Sequence, residues 1–200
     1  MEFTEVVRRR RMVRAYDPSR PVPRAVIDDL LELATHAPSA GFSQGWQFLV
    51  LDTPAGCDAF WKATVDPGEL PDSWLTGMQT APALIIPFSD KQAYLDRYAE
   101  PDKGWTDRDE ARWPVPYWDI DTGMASLLVL LGAVDRHLAA CFFGVPTEHW
   151  DALRAAFAVP TRLTPIGVIS LGYRAPDRRS PSLRRGRRGL DDVVAYGSFA

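Results

Sequence analysis

Arginine side chains are concentrated at the two ends of this 200-residue sequence, and their guanidinium groups are well suited to binding phosphate. Seven arginines lie within residues 1–24 and seven more within residues 174–200. These two stretches together carry a net charge of +8, whereas residues 25–173 carry −11. A guanidinium donates two parallel N–H groups to two oxygens of one phosphate, so both ends are candidates for binding phosphate. The alternative is that each cluster is simply a solvated charged surface.

A second candidate for chemistry is the segment of residues 41–45, whose sequence GFSQG matches the G-x-S-x-G pattern of serine hydrolases. That mechanism requires a strand that runs into the serine and a helix that leaves it, so that the hydroxyl lies on a sharp turn. The predicted order here is reversed, because a helix precedes the segment and a strand follows it. We therefore interpret the match as chance.

Metal-binding and nucleotide-binding motifs do not occur in the sequence. The histidines at positions 36, 137 and 149 show no close pairing, and neither cysteine has a partner two to four residues away. A Walker-type phosphate loop and the G-x-G-x-x-G pattern are both missing. We therefore expect no metal site, and a nucleotide would have to bind through other groups.

Cysteine content and hydropathy favour a soluble, cytoplasmic protein. Cys57 and Cys141 are set among apolar neighbours and make no disulfide framework. The first 16 residues contain four consecutive arginines and no apolar run, so we expect no secretory signal. Residues 122–134 form an uncharged run of 13 residues, whereas a membrane span needs roughly 20 apolar residues. This run predicts a buried helix and no membrane association.

The elements that must position these residues are mainly helices, with a few scattered strands. Apolar periodicity and flanking prolines predict helices over residues 4–11, 23–37, 55–65, 91–98, 119–137 and 147–157. Strands are predicted over residues 47–51, 83–87, 139–143 and 166–171. The helix at 119–137 is apolar nearly all round, which places it in the core. The pattern indicates one α+β domain rather than a regularly alternating α/β fold.

Residues 89–118 do not fit this pattern, because they are charged and unusually rich in aromatic residues. The aromatic positions are Tyr94, Tyr98, Trp105, Trp113, Tyr117 and Trp118. Long irregular segments in compact domains are usually lids or disordered insertions, and aromatic residues at this density argue against disorder. We interpret the segment as a lid over a flat ligand. The alternative is that it only packs on the domain surface.

Four short segments also carry a family resemblance. Residues 10–16 (RRMVRAY) are similar to an N-terminal motif of basic residues, a serine and an aromatic residue. Residues 38–48 (PSAGFSQGWQF) are similar to P-S-S-x-N-x-Q-P-W-x-F, and residues 138–144 (LAACFFG) take the place of G-L-G-x-x-x-x-G. Finally, Gly172-Tyr173 and residues 185–194 (RGRRGLDDVV) look like G-Y…K-x-R-x-P-L-x-E-V. In their sequences and in their order along the chain, these four segments resemble the motifs of the nitroreductase family of FMN-dependent oxidoreductases.

The resemblance implies a fold and an assembly. The fold would be a three-layer α+β sandwich, in which helices wrap a mixed and mainly antiparallel sheet. Residues 1–200 would form a single domain with the lid insertion at 89–118. Two copies would form a homodimer with exchanged C-terminal tails, and FMN would lie between the subunits.

The resemblance also implies which residues hold the cofactor. Arg10, Arg185 and Arg187 would bind the FMN phosphate, which would account for both basic ends, and Arg14 would lie near the pyrimidine edge of the ring. The other cofactor-binding positions would be Arg11, Ser39, Ala40, Phe42, Gln44, Phe143 and Gly144. Of these, Ser39, Ala40 and Phe42 would come from the other subunit. Phe143 and Gly144 would present backbone groups to the ring.

The sequence departs from the family pattern at several cofactor positions. Met12 replaces the usual serine and removes a hydroxyl from the phosphate site, for which Arg11 is expected to compensate. Ala40, Phe42 and Gly45 replace a serine, an asparagine and a proline. These changes make the contacts with the cofactor more apolar. A deazaflavin therefore remains an alternative to FMN.

The activity implied by the resemblance is hydride transfer from NAD(P)H to an electron-poor small aromatic acceptor, such as a nitroaromatic or a quinone, by a ping-pong mechanism. The chemistry would occur at flavin N5, so no side chain need act as an essential acid or base. Trp105, Trp113 and Tyr117 would form the substrate lid. One alternative is a flavin- or deazaflavin-binding protein without turnover. Another is nucleic-acid binding, against which the acidic middle and the pI of about 5.6 argue.

Overall fold

A five-stranded antiparallel sheet lies at the centre of the computed structural model, which describes residues 1–68, 70–177 and 180–199. The strands are β1 (Trp46–Leu51), β2 (Ala83–Asp90), β3 (Ala139–Phe143), β4 (Leu163–Pro165) and β5 (Val168–Gly172). Their order is β1-β2-β5-β3, and β4 pairs with the far end of β2. The β1–β2 register runs from Trp46 opposite Ser89 to Leu51 opposite Leu84. The four predicted strands are all present.

Seven α-helices surround the sheet in the described ranges. They are α1 (Phe3–Arg9), α2 (Arg24–Thr35), α3 (Pro54–Thr64), α4 (Ser73–Met78), α5 (Lys91–Ala99), α6 (Tyr117–Asp135) and α7 (Trp150–Phe157). The predicted helix at 147–157 begins as a 3-10 turn, Thr147–His149, before α7. Helix α1 begins at Phe3, and Glu2 precedes it without a side-chain cap.

The core has two apolar layers, one on each face of the sheet. On β2, Leu84 and Ile86 pack with residues of α3, α4 and α7, whereas Ile85 packs with residues of α2 and α6. This alternation follows from the two-residue period of a strand, and burying each such side chain contributes roughly 1.5–3 kcal/mol. The result is an α+β sandwich of helices, sheet and helices, as predicted.

Helix α6 is the central helix of its layer. Its length and hydropathy alone would also allow a membrane span, but half of it is buried within the protein, and the core helix of a soluble protein gives the same signal. At Gly132 a Cβ atom would lie 2.8 Å from side-chain carbons of Leu30 and Leu33, so glycine permits the close approach of α2. Ile120 and Leu127, in contrast, are exposed on the outer side of α6.

The N-terminal segment after α1 extends the sheet at the edge of β3. Met12 forms a parallel bridge with Ala140, and the Val13 N–H donates to the Ala140 carbonyl at 3.1 Å. Tyr16 then forms an antiparallel bridge with Arg174, just beyond β5. These contacts bring the arginines of the N-terminus and one arginine of the C-terminal cluster to the same edge of the sheet.

Candidate functional site

A basic cavity of about 430 Å³ lies where the end of α1 meets β3 and the end of α6. Five arginines line it, together with one histidine and apolar residues of α6 and β3. The arginines are Arg8, Arg9, Arg10, Arg11 and Arg174. Repulsion among these positive charges favours an anionic ligand in the cavity.

Two of these arginines are already used within the protein. Arg9 forms an exposed ion pair with Glu5, one helical turn earlier, at 2.9 Å. Arg11 Nη1 donates to the carbonyl oxygens of Arg8 and Arg10 at 2.6 and 2.8 Å. A cation at this position satisfies carbonyl groups that the end of α1 leaves free. Arg11 therefore fixes the turn that presents its neighbour Arg10.

Arg10 is the cavity residue with an unmet hydrogen-bonding requirement. Among the described residues, its Nη1 atom is buried and has no hydrogen-bond partner. A buried cationic donor without an acceptor is costly, and native proteins rarely retain one without a reason. An anionic oxygen in the cavity would supply the missing acceptor.

Arg174 is a cavity residue that the sequence analysis did not single out. It follows Gly172-Tyr173 directly, and its backbone is fixed beside Tyr16 by the antiparallel bridge. In the sequence, Arg174 could have been identified from its position at the start of the basic C-terminal cluster.

Arg14, in contrast, does not line this cavity. Its backbone N–H donates to Asp177 Oδ2 at 2.9 Å, and its guanidinium donates to the Met12 carbonyl.

The two predicted phosphate ligands of the C-terminus are not at the cavity in this structure. Arg185 ends a 3-10 turn, Pro181–Arg185, and both it and Arg187 are exposed on the tail. The cavity walls include no residue of the described tail, 180–199. The structure therefore brings Arg10 and Arg11 together but not Arg185 and Arg187, whose roles remain predictions.

The predicted ring-contact loop, residues 39–44, has an unusual backbone. Gly41, Phe42 and Gln44 have φ angles of 62°, 56° and 50°, in the left-handed region. Non-glycine residues there are disfavoured and persist only when their surroundings hold them. Ser39 Oγ accepts from the Gln44 N–H at 3.0 Å, and the Phe42 side chain is 73% exposed. The loop therefore presents an aromatic ring to the outside of the single chain.

The last residue of β3 is held by an aromatic cluster. The Phe143 ring is stacked on Trp61 with centroids 5.7 Å apart and planes 6° apart, and Trp74 and Phe60 meet it edge-on. The next residue, Gly144, has open space where a Cβ would lie. The backbone at 143–144 is thus both fixed and accessible.

The aromatic segment is ordered and packs largely on itself. It begins with α5, as predicted, and Trp113 lies at its centre. The rings that Trp113 contacts are Tyr94, Tyr98, Trp105, Tyr117 and Trp118, with centroids 4.5–5.9 Å away. Tyr117 is 37% exposed, so part of its side chain is accessible to other contacts. Whether the segment covers a ligand stays a prediction.

A comparison with known protein families decides the identity of this fold. The model described as the nitroreductase family matches residues 7–173. The chain belongs to the nitroreductase family. It is therefore a flavin oxidoreductase, as its sequence motifs indicated.

Two relatives of this nitroreductase-family chain illustrate the range of activities among similar proteins. The 4-nitrobenzoate reductase of Nocardioides sp. is 30% identical over 226 residues, covering 97% of this chain and 89% of that protein. The iodotyrosine deiodinase 1 of Rattus norvegicus is 40% identical over 211 residues, covering 96% of this chain and 68% of that protein.

Solved structures agree with the nitroreductase fold. A nitroreductase-like protein of Exiguobacterium sibiricum, solved in complex with FMN, superposes with a TM-score of 0.74 at 23% identity. That match covers 98% of this chain and 97% of the other. A nitroreductase family protein of Clostridium difficile gives a TM-score of 0.71 at 24% identity, with both chains fully covered.

Three further groups of residues bear on other candidate chemistries in this nitroreductase-family chain. In the G-x-S-x-G segment, Ser43 Oγ donates to the Ala40 carbonyl at 2.7 Å, and the segment lies between α2 and β1 as expected. Burial raises the pKa of Cys57 to about 11 and raises the pKa of Cys141, so both thiols are protonated at neutral pH. In the described ranges, no group of three His, Cys, Asp or Glu side chains is placed to hold a metal ion.

Proposed function

We propose that this nitroreductase-family enzyme binds FMN and passes hydride from NAD(P)H to a flat, electron-poor aromatic acceptor by a ping-pong mechanism. The observation that carries the proposal is the buried Arg10 Nη1, which lacks an acceptor in a cavity lined by arginines. A phosphate oxygen meets the requirement of this atom, and a phosphorylated flavin is the ligand that the family membership favours. When bound, FMN supplies the hydride-transfer chemistry.

Arg10 and Arg174 would hold the cofactor phosphate from the body of the domain. Arg185 and Arg187 would join them when the C-terminal tail folds against the cavity. Arg14 would place a positive charge near the pyrimidine edge of the ring. A dianion bound there would also explain why the N-terminal arginines and Arg174 lie together at one edge of the sheet.

The protein would act as a homodimer. Supporting this, the single chain exposes apolar side chains along its tail and on the outer side of α6. In the tail they are Leu183, Leu190, Val193, Val194, Tyr196 and Phe199, of which Tyr196 is 87% and Phe199 91% exposed. A soluble monomer rarely exposes apolar surface on this scale. A partner subunit that receives the tail would bury it and would place the loop of residues 39–44 beside the partner's cofactor.

The remaining site residues would orient the cofactor and the acceptor. Phe143, fixed by Trp61, would hold the Gly144 backbone toward the flavin ring. The exposed face of Tyr117 would stack on the acceptor, and the aromatic cluster behind it would support that ring and exclude water. The relative that is named a 4-nitrobenzoate reductase makes 4-nitrobenzoate the first acceptor to examine.

The cofactor assignment is tested by the absorbance spectrum of the purified protein and the mass of the released chromophore. FMN is the expected result. Release of a deazaflavin, or a colourless protein that takes up no FMN, would overturn the assignment.

Light scattering of the FMN-loaded protein tests the proposed homodimer. A dimer that becomes monomeric when residues 181–200 are deleted is expected, and a flavin-loaded monomer of the full chain would contradict the proposal.

A further inference from the structure

A buried carboxylate joins the lid segment to the loop of residues 39–44. Asp121, on the first turns of α6, is 2% exposed. Its Oδ2 atom accepts from the backbone N–H of Ala40 at 2.8 Å and from the hydroxyl of Tyr94, in α5, also at 2.8 Å. Burial and the nearby carboxylate raise the pKa of Tyr94 well above its usual range, so the phenol remains a donor at neutral pH.

A guanidinium makes a second connection between the same two segments. Arg97 Nε, in α5, donates to the carbonyl of Gly41 at 2.9 Å. Its Nη1 and Nη2 atoms bind both carboxylate oxygens of Asp102 at 2.7 Å each. One side chain thus links the middle of the loop to the first residues of the aromatic segment beyond α5.

Steric contacts leave the loop little freedom between these two connections. A Cβ on Gly41 would lie 2.5 Å from Tyr98 Cε2, and a Cβ on Gly45 would lie 2.5 Å from Tyr94 Cε2. The rings of α5 therefore pack directly on the loop backbone. Side chains at positions 41 and 45 would separate the two segments.

These contacts account for the strained and exposed position of Phe42. A non-glycine residue in the left-handed region is disfavoured and needs surroundings that enforce it. The residues immediately before it, Ala40 and Gly41, are fixed through their N–H and carbonyl groups by Asp121 and Arg97. The ring itself points away from the single chain.

We propose that Asp121 and Arg97 are positioning residues that hold the loop so that Phe42 faces the flavin site of the partner subunit. The inference rests on the proposed function, because that function supplies the dimer and the flavin. It adds to that function that the lid segment and the loop of residues 39–44 are connected and move together. A change in the lid at Tyr94 or Arg97 is then transmitted to the flavin site of the other subunit.

The structure offers matched controls on the same elements. Asp119 lies two residues before Asp121 on α6, and its Oδ1 accepts from Ser89 Oγ at 2.6 Å rather than from the loop. Arg108 forms an exposed ion pair with Asp96 in the lid segment and has no bond to the loop. Asp119→Asn therefore weakens and Arg108→Ala removes a comparable polar contact, and both leave the connections to the loop intact.

The first experiment measures hydrogen exchange of peptides that cover residues 39–45. Asp121→Asn and Arg97→Ala should each speed exchange at these residues by roughly tenfold or more, because each weakens a charge-assisted hydrogen bond to the loop backbone. Tyr94→Phe, which leaves the Asp121 charge in place, should give a smaller increase. The two controls should leave the exchange rate of the loop unchanged.

The second experiment records the visible circular dichroism of bound FMN, which reports the surroundings of the ring rather than overall stability. Asp121→Asn and Phe42→Ala should each alter the spectrum, and the double variant should match Phe42→Ala alone, because Asp121 acts through Phe42. Unchanged loop exchange in a flavin-loaded Asp121→Asn protein, or additive spectral changes, would overturn this inference alone. A wild-type protein that takes up no FMN would instead overturn the proposed function, and the flavin-facing role with it.

Discussion

The sulfur of Met12 lies 3.4 Å from the backbone nitrogen of Phe142, in the middle of the contact between the N-terminal segment and β3. Met12 stands where the family motif has a serine, and this replacement predicts the loss of a hydroxyl at the phosphate site. In the structure the thioether is half-buried between the two apolar layers. Met12 is thus a packing residue that fixes the segment carrying Arg10 and Arg14.

Met12→Ser should therefore lower stability rather than restore phosphate binding. Replacing a fully buried methionine by a small residue costs about 2–5 kcal/mol, and a half-buried one should cost roughly 1–2 kcal/mol. A thermal melt should show a fall of about 2–4 °C for each kcal/mol in a chain of this size. A variant with an unchanged melting temperature and tighter FMN binding would show that the serine position acts on the phosphate after all.

Arg10→Ala should weaken FMN binding by roughly 10- to 100-fold, because a charge-assisted contact contributes about 1.5–3 kcal/mol. Arg187→Ala should weaken binding in the same direction if the tail reaches the cavity. Arg24→Ala is the matched control, since its guanidinium pairs with Asp52 at 2.7 Å and it does not line the cavity. Fluorescence titration of the apoproteins with FMN measures all three. Equal affinity in Arg10→Ala and wild type would remove Arg10 from the phosphate site.

Two aromatic residues of the lid segment should respond differently to substitution. Trp113→Ala removes the ring at the centre of the cluster and should lower the melting temperature clearly, because large aromatic deletions cost about 3–5 kcal/mol when fully buried. Tyr117→Ala should leave the melting temperature nearly unchanged and raise the KM for aromatic acceptors, since part of its ring faces outward. If Tyr117→Ala reacts with several acceptors as the wild type does, the segment is structural and the lid proposal fails.

The buried thiols should make the protein less stable at alkaline pH. The folded-state pKa of Cys57 is raised from 9.0 to about 11, mainly by burial. The neutral thiol thus contributes stability that is fully present below pH 9.0 and is lost as the pH rises toward 11. Cys57→Ala should reduce the decline in melting temperature between those pH values. A decline identical to that of the wild type would assign the alkaline sensitivity to other groups.

Much of the fold was predictable because its longer elements carry strong apolar periodicity. β3 was predicted with its observed bounds, and α6 begins only two residues before its predicted start. The short elements α4 and β4 were missed, because six and three residues are too few for a periodic signal. The sequence did contain one sign that a helix begins here, which is Asp72 before α4. Its side chain accepts from the Leu75 N–H as an N-cap.

The site was less predictable than the fold, because its contacts join distant parts of the chain. Arg10 was identified through a motif, but the role of Arg11 as a cap for α1 depends on backbone geometry. Asp121 was absent from the predicted site, since no local pattern distinguishes a buried carboxylate at the start of an apolar helix from a solvated one. Its contacts with Ala40 and Tyr94 depend on the fold, which brings both residues against it.

The proposed function requires this chain to turn over a bound FMN between NAD(P)H and an aromatic acceptor. Anaerobic stopped-flow spectroscopy of the FMN-loaded protein tests this requirement, because the two half-reactions are observed separately. NADH or NADPH should bleach the visible flavin band, and 4-nitrobenzoate, added after the nicotinamide is consumed, should restore it. A yellow protein that neither nicotinamide bleaches would contradict the account and indicate a flavin-binding protein without turnover.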